Sequence, residues 1–180
     1  LSSIGDFNGD GLDDLLIGAR GAKPNGSASG EAYMLLGRST KADTIFLSKL
    51  TSEEGLMLEG RNSQDFTGSH LGRLGDINRD GLADILIGVP SADISFSSDK
   101  GAAYVIFGRR FIGELTWPLK DVSNGNDGFF IAGEDRFDNL GTGLSGGDFN
   151  GDGIPDAVIS ATGADVDFGD NSGQIFVLLG

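Results

Sequence analysis

Three stretches of this chain are versions of one another: "GDFNGDGLDDLLIGA" (5–19), "GDINRDGLADILIGV" (75–89) and "GDFNGDGIPDAVISA" (147–161). Their first aspartates, Asp6, Asp76 and Asp148, stand 70 and 72 residues apart. A repeat of this length is one supersecondary unit that cannot bury its apolar face alone, so its copies must stack. That requirement constrains the fold more than any other feature of the sequence.

Each copy reads as four short strands. After the acidic stretch comes an apolar run rich in Ile, Leu and Val: 14–19, 84–89 and 156–161. These runs are too short for an ordinary helix and read as strands buried on both faces. A Gly-rich turn leads to a second run, "GEAYMLLG" (30–37), "GAAYVIFG" (101–108) and "GQIFVLLG" (173–180). A looser segment of about twenty residues precedes a third, "GLMLEG" (55–60) and "GFFIAG" (128–133), and a fourth, "TGSHLGRLGD" (67–76) and "LGTGLSGGD" (140–148), feeds each acidic stretch. Helical periodicity is weak throughout. The expectation is an all-β fold of four-stranded antiparallel propeller blades over 1–60, 66–133 and 140–180, about two and three-quarter blades in one domain segment 1–180. A parallel solenoid would repeat at a much shorter period.

The acidic stretch has a chemistry of its own. Asp6, Asn8 and Asp10 occupy positions 1, 3 and 5, as do Asp76, Asn78 and Asp80, and Asp148, Asn150 and Asp152. Such spacing converges side-chain oxygens when the chain curls, and Gly11, Gly81 or Gly153 at position 6 permits the positive φ of a tight curl. Leu12, Leu82 and Ile154 at position 7 offer a backbone carbonyl, and Asp14, Asp84 and Asp156 close the ring at position 9. Five oxygen donors without nitrogen or sulfur suit Ca²⁺, whereas Mg²⁺ takes fewer protein ligands and more water. An EF-hand would place a bidentate Glu at position 12, where Ile17, Ile87 and Ile159 stand, so this loop is shorter and runs into a strand. The expectation is three bound Ca²⁺ ions.

The net charge of −14 argues against nucleic acid and against anionic membrane surfaces. No apolar run is long enough for a membrane-spanning helix, and the absence of cysteine excludes disulfide or thiolate chemistry and favours a bacterial source. With Gly at 31 of 180 residues, more than twice the usual share, and 4 Pro, tight turns between short strands are expected.

Asp-x-Asn-x-Asp-Gly-x-x-Asp followed by "LLIGA", with "LSSIGD" leading in and "YVIFG" after, resembles the FG-GAP repeat of the integrin α-subunit N-terminal β-propeller and its bacterial relatives. The resemblance covers nearly the whole chain. It implies four-stranded blades around a central axis, calcium in the loop between the first and second strands, and ligand roles for the fifteen loop residues named above. It also implies an extracellular or cell-surface setting. The name-giving Phe-Gly is replaced by Thr67-Gly68 and Leu140-Gly141, and the period is long, with the extra length between the third and fourth strands of a blade.

Other motifs are weaker. Gly143-Leu144-Ser145-Gly146-Gly147 fits a nucleophile elbow and Gly141-x-Gly143-x-x-Gly146 a dinucleotide fingerprint, but neither sits before a helix, and the single histidine, His70, lies upstream. His70 reads as a strand residue between blades, Trp117 as local packing and Asn25-Gly26-Ser27 as a glycosylation acceptor only in a eukaryotic secretory setting; 165–173, which contains Asp167-Phe168-Gly169, reads as a solvated acidic loop. Two function classes remain. One is a non-catalytic, calcium-stabilised module for adhesion or recognition of a protein or glycan ligand. The other is an accessory propeller inside a larger extracellular enzyme of lyase or phospholipase type. Either expects neighbouring blades of a longer chain, or self-association, to cover the open edges.

Overall fold

The computed structural model describes residues 1–40, 44–93, 99–110, 113–122, 125–165 and 172–180. The three apolar runs after the acidic loops are strands with the expected bounds: β2 (Asp14–Ala19), β6 (Asp84–Val89) and β11 (Asp156–Ala161). Each pairs antiparallel with the strand before its loop: β1 (Ser2–Gly5), β5 (His70–Gly75) or β10 (Leu140–Gly147). Each also pairs antiparallel with the strand after it: β3 (Glu31–Leu35), β7 (Ala102–Ile106) or β12 (Gln174–Leu178). Strands β4 (Gly55–Glu59) and β9 (Gly128–Ala132) complete the first two sheets, so the chain is a partial propeller of two complete blades and a three-stranded third. The inner strand β5 packs against both β1 and β10, which turns the three sheets about a common axis.

The first sheet departs from the expected four antiparallel strands. A short strand, β8 (Thr116–Pro118), rises from the looser segment of the second blade and pairs in parallel with β4. Trp117 lies opposite Leu58 there and is buried, as local packing requires. A crossover strand of three residues has too little periodicity to show in the sequence.

The core lies between the sheets. Leu16, Met34, Leu56 and Leu58 of the first blade meet Ile85, Ile87, Tyr104 and Ile106 of the second. The alternate residues of β6 and β7, Leu86, Ala103 and Val105, face the third blade and meet Ala157, Ile159 and Ala161. All six residues of β6 are therefore buried, as expected of a strand with a sheet on each side. In β2, Leu15 and Ile17 are only half-buried, because a described sheet covers just one of its faces.

Close approach between blades occurs at glycines. A Cβ on Gly18 would collide with the backbone carbonyl of Gly68, and one on Gly88 with that of Gly141. Gly68 and Gly141 have φ of 83° and 95°, a region that disfavours side chains. These are the glycines of the degenerate Phe-Gly positions, so the half of that dipeptide which survives is the half that sets blade spacing. In urea unfolding, Gly88→Ala is expected to lower stability by roughly 1–3 kcal/mol, the usual cost of overpacking. Gly21→Ala, where a Cβ meets nothing, should be neutral or slightly stabilising. Equal effects would remove the glycine contact as the determinant of blade spacing.

Candidate metal-binding loops

Each acidic loop is a closed curl held by its own side chains. In the first, Asp6 Oδ1 accepts from the N–H groups of Gly9 (2.7 Å) and Asp10 (3.0 Å), and Oδ2 accepts from Gly11 N–H (2.8 Å). Asn8 Oδ1 accepts from Asp10 N–H (3.0 Å), while its Nδ2 donates to Asp10 Oδ2 (2.9 Å). Asp10 Oδ1 accepts from Leu12 N–H (2.9 Å). The third loop repeats all of these bonds through Asp148, Asn150 and Asp152, and the second repeats all but the one from position 4, where Arg79 stands, through Asp76, Asn78 and Asp80. Asp and Asn favour such loops because their short side chains bond nearby backbone donors. Gly11, Gly81 and Gly153 at position 6 have φ of 86°, 88° and 89°, the left-handed conformation the curl demands.

Position 9 behaves differently. Asp14, Asp84 and Asp156 are buried while the residues at position 5 are exposed. Asp14 Oδ2 accepts from Phe7 N–H (2.8 Å) and Oδ1 from Gly37 N–H (2.7 Å), the residue two beyond β3. Asp84 does the same with Ile77 and Gly108 (both 2.8 Å), and Asp156 with Phe149 (2.8 Å) and Gly180 (3.0 Å). The glycine is required because a Cβ there would strike position 7: Leu12, Leu82 or Ile154. Leu12, Leu82 and Ile154 thus brace the loop with their side chains.

In this arrangement no group of three or more His, Cys, Asp or Glu side chains among the described residues has the spacing to hold a metal ion. The position-1 and position-5 carboxylates bond the curl, and the position-9 carboxylate bonds the strand ends. Their acceptor capacity is not exhausted. A carboxylate offers about four lone-pair directions, of which Asp6 uses three, Asp10 two and Asp14 two.

Burial sets the protonation of position 9. It raises the Asp14 carboxyl above the usual range, opposed by the Gly37 and Phe7 N–H bonds and assisted by the charges of Asp10 and Asp6. In the most enclosed blade, burial pushes Asp84 up to about 6, with the Asp80 charge adding to it. Asp156 moves the other way: the Gly180 N–H bond outweighs burial and lowers it.

The loops are also chained to one another. Ala83 N–H donates to the Asp6 carbonyl and Arg109 N–H to the Phe7 carbonyl, both at 2.9 Å. The first acidic loop therefore rests on the second blade.

Sequence reasoning missed a second repeated aspartate. Asp65 and Asp138, three residues before Gly68 and Gly141, are buried and anchor the turn into the inner strand. Asp65 Oδ2 accepts from Asn62 N–H (2.8 Å), and Asp138 Oδ2 from Asp135 N–H (2.7 Å) and Glu134 N–H (3.1 Å). Burial pushes Asp65 up to about 6. Its equal offset from the two glycines was the available signal. The discounted motifs at 141–147 lie inside β10, and no strand-to-helix turn surrounds them. His70 opens β5, and burial lowers its pKa. The Asn25 amide donates to the Gly60 carbonyl (2.8 Å) and so is engaged within the fold. Residues 166–171, most of the acidic segment 165–173, lie outside the described residues.

Stacked antiparallel sheets, each built on an acidic loop between its first and second strands, define a blade-repeat protein of the propeller type. The FG-GAP repeat model matches residues 2–34, 72–106 and 140–178, and the chain belongs to the FG-GAP repeat family. It is 34% identical over 157 residues to the phosphatidylinositol-glycan-specific phospholipase D of Homo sapiens, covering 87% of this chain and 17% of that protein. It is 32% identical over 168 residues to integrin alpha-5 of Xenopus laevis, covering 91% of this chain and 14% of that protein. Integrin alpha-8 of Homo sapiens is 36% identical over 94 residues, 49% of this chain and 8% of that protein. The chain thus spans less than a fifth of the length of these relatives.

The opposite shifts of Asp84 and Asp156 have opposite consequences for stability. A carboxyl raised in the folded state favours folding while protonated, so the Asp84 contribution is fully present below about 3.9 and is lost as pH rises through about 6. Asp156, lowered, contributes above its unfolded value and loses that contribution as pH falls. In metal-free buffer, Asp84→Asn is expected to recover stability relative to the unmutated chain as pH rises from about 4.5 to about 7, whereas Asp156→Asn should run level with it over that range, because the Asp156 contribution is already complete above its unfolded value. Thermal melts across that window would reject the assignment if both variants tracked the parent with pH.

Proposed function

We propose that this chain is a calcium-stabilised, non-catalytic propeller segment that serves extracellular recognition of a protein or glycan ligand. The observation that carries the reading is the threefold loop of hard oxygen donors, closed in advance by its own backbone bonds. Asp6, Asn8, Asp10, the Leu12 carbonyl and Asp14 would hold the first ion. Asp76, Asn78, Asp80, the Leu82 carbonyl and Asp84 would hold the second, and Asp148, Asn150, Asp152, the Ile154 carbonyl and Asp156 the third. The ion supplies positive charge among three carboxylates per loop, and three Ca²⁺ bring the net charge from −14 to −8. This chain's own part is to hold the oxygens in a curl whose ordering entropy is already spent.

The setting is extracellular in this reading, supported by the integrin and phospholipase relatives, and no helix among the described residues is long and apolar enough to cross a membrane. The phospholipase D relatives favour a second reading, in which the segment is an accessory propeller of a larger enzyme whose chemistry resides elsewhere. Both readings assign no catalysis to these residues. Activity assays on the full-length protein and on this segment separate them: a lipid-hydrolysing full-length protein with an inert segment selects the second.

Calorimetry is expected to count three Ca²⁺ sites, with dissociation constants of roughly 10⁻⁴–10⁻³ M or tighter. Each site filled at 100 times its dissociation constant adds about 2.7 kcal/mol. Chelator should therefore lower the melting temperature, and Mg²⁺ should restore it poorly. Fewer than two sites, or a melt indifferent to chelator, overturns the ion assignment.

Position in the stack grades the loops. Asp80→Ala strips the middle loop, whose blade is packed on both faces, and should destabilise more than Asp152→Ala in saturating Ca²⁺. Equal losses in thermal melts would contradict this nearest-neighbour picture.

A further inference from the structure

Away from the acidic curls, described residues between β7 and β9 line an open cavity of about 370 Å³, at the lower end of the size range of small-ligand pockets. Arg109, Glu114, Trp117, Pro118, Asp121 and Asp127 line it. Its wall is fixed from outside, because β8 is paired to β4 and Met57 N–H donates to the Leu115 carbonyl (2.7 Å). Trp117 is only 6% exposed, and the Arg109 guanidinium carbon lies 3.9 Å from its ring centroid. Arg109 Nε is buried and has no hydrogen-bond partner. The corresponding arginine of the first blade, Arg38, is ion-paired with Glu54 at 3.1 Å, the one such pair among the described residues. Arg109 is thus an arginine held in place by stacking, with a donor left unmatched.

The lining discriminates between ligand classes. An anion would satisfy Arg109 but would face the three carboxylates of Glu114, Asp121 and Asp127. A cation would suit the carboxylates but would be repelled by the Arg109 guanidinium. A neutral polyhydroxyl compound does both, since each hydroxyl donates to a carboxylate and accepts from a guanidinium. We propose that this cavity is a binding subsite for a neutral sugar ring. Arg109 donates to a hydroxyl or ring oxygen, and Glu114, Asp121 and Asp127 accept from hydroxyls, while Pro118 supplies an apolar patch for a C–H face. This narrows the recognition reading above to a ligand class and rests on that reading only for the role of the segment; it requires no ion.

Trp117 is the sole tryptophan of the chain, so its indole N–H resonance and its fluorescence report on this cavity alone. The whole chain, in saturating Ca²⁺, is titrated with glucose, galactose, mannose and N-acetylglucosamine. At least one sugar should shift the indole resonance saturably. Arg109→Lys and Asp127→Asn should each weaken that binding roughly tenfold, the loss of one charge-assisted hydrogen bond. If Arg109→Lys changes the melting curve, Asp127→Asn carries the comparison. No saturable shift with any of the sugars, affinity unchanged in the variants, or tighter binding of cadaverine or glucuronate overturns the proposal. A parallel melt in chelator reads the ion assignment separately, so failure of one leaves the other standing.

Discussion

The buried aspartate at the head of each second strand is the point on which the blades are assembled. Asp14, Asp84 and Asp156 each accept from backbone N–H of the loop that precedes them, Asp156 from two such groups, and from the glycine that follows the next strand. One side chain thereby ties the loop, the second strand and the end of the third strand together. Burying a carboxylate is costly unless its oxygens are hydrogen-bonded, and here both are. The cost that remains appears as the raised proton affinity of Asp14 and Asp84. A positive ion in the adjoining curl would offset that cost, which links the stability of the fold to the recognition role proposed for it.

Blade spacing follows from a second constraint, the absence of side chains at Gly18, Gly68, Gly88 and Gly141. Backbones meet there, so the apolar faces on either side can approach closely. The third blade departs from the pattern. Ser160 stands where Gly18 and Gly88 stand, with its hydroxyl 3.1 Å from Thr142 Oγ1. The Ser160 side chain thus stands where the other two blades keep bare backbone.

Much of the architecture was legible because its signals are local. The three apolar strands after the loops are bounded by residues that announce them: Asp at the head, and a change from Leu and Ile to Gly, Pro or Ser beyond. The curl of each loop was legible for the same reason, since Asp, Asn and Gly act on backbone groups within five residues of themselves. The segment 107–127 was not legible beyond being loose. Its strand pairs with another blade, where Trp117 meets Leu58 from far along the chain, and nothing local marks Arg109 as the residue that stacks on its ring. Asp65 and Asp138 were overlooked because each occurs outside the conspicuous acidic run, and their shared offset from Gly68 and Gly141 gains meaning only from their burial.

Taken alone, then, the sequence determined the repeat, the strands within it, the oxygen-rich curl and the membership of a stacking fold, all of which depend on contacts within one blade's length of chain. Tertiary structure decided how the pieces act. It turned the fifth oxygen position into a buried clamp, raised the proton affinity of Asp84 by burying it, and brought Arg109, Trp117 and three carboxylates around one cavity. Those outcomes depend on low dielectric and on close approach between distant segments, and both exist only once the sheets have packed.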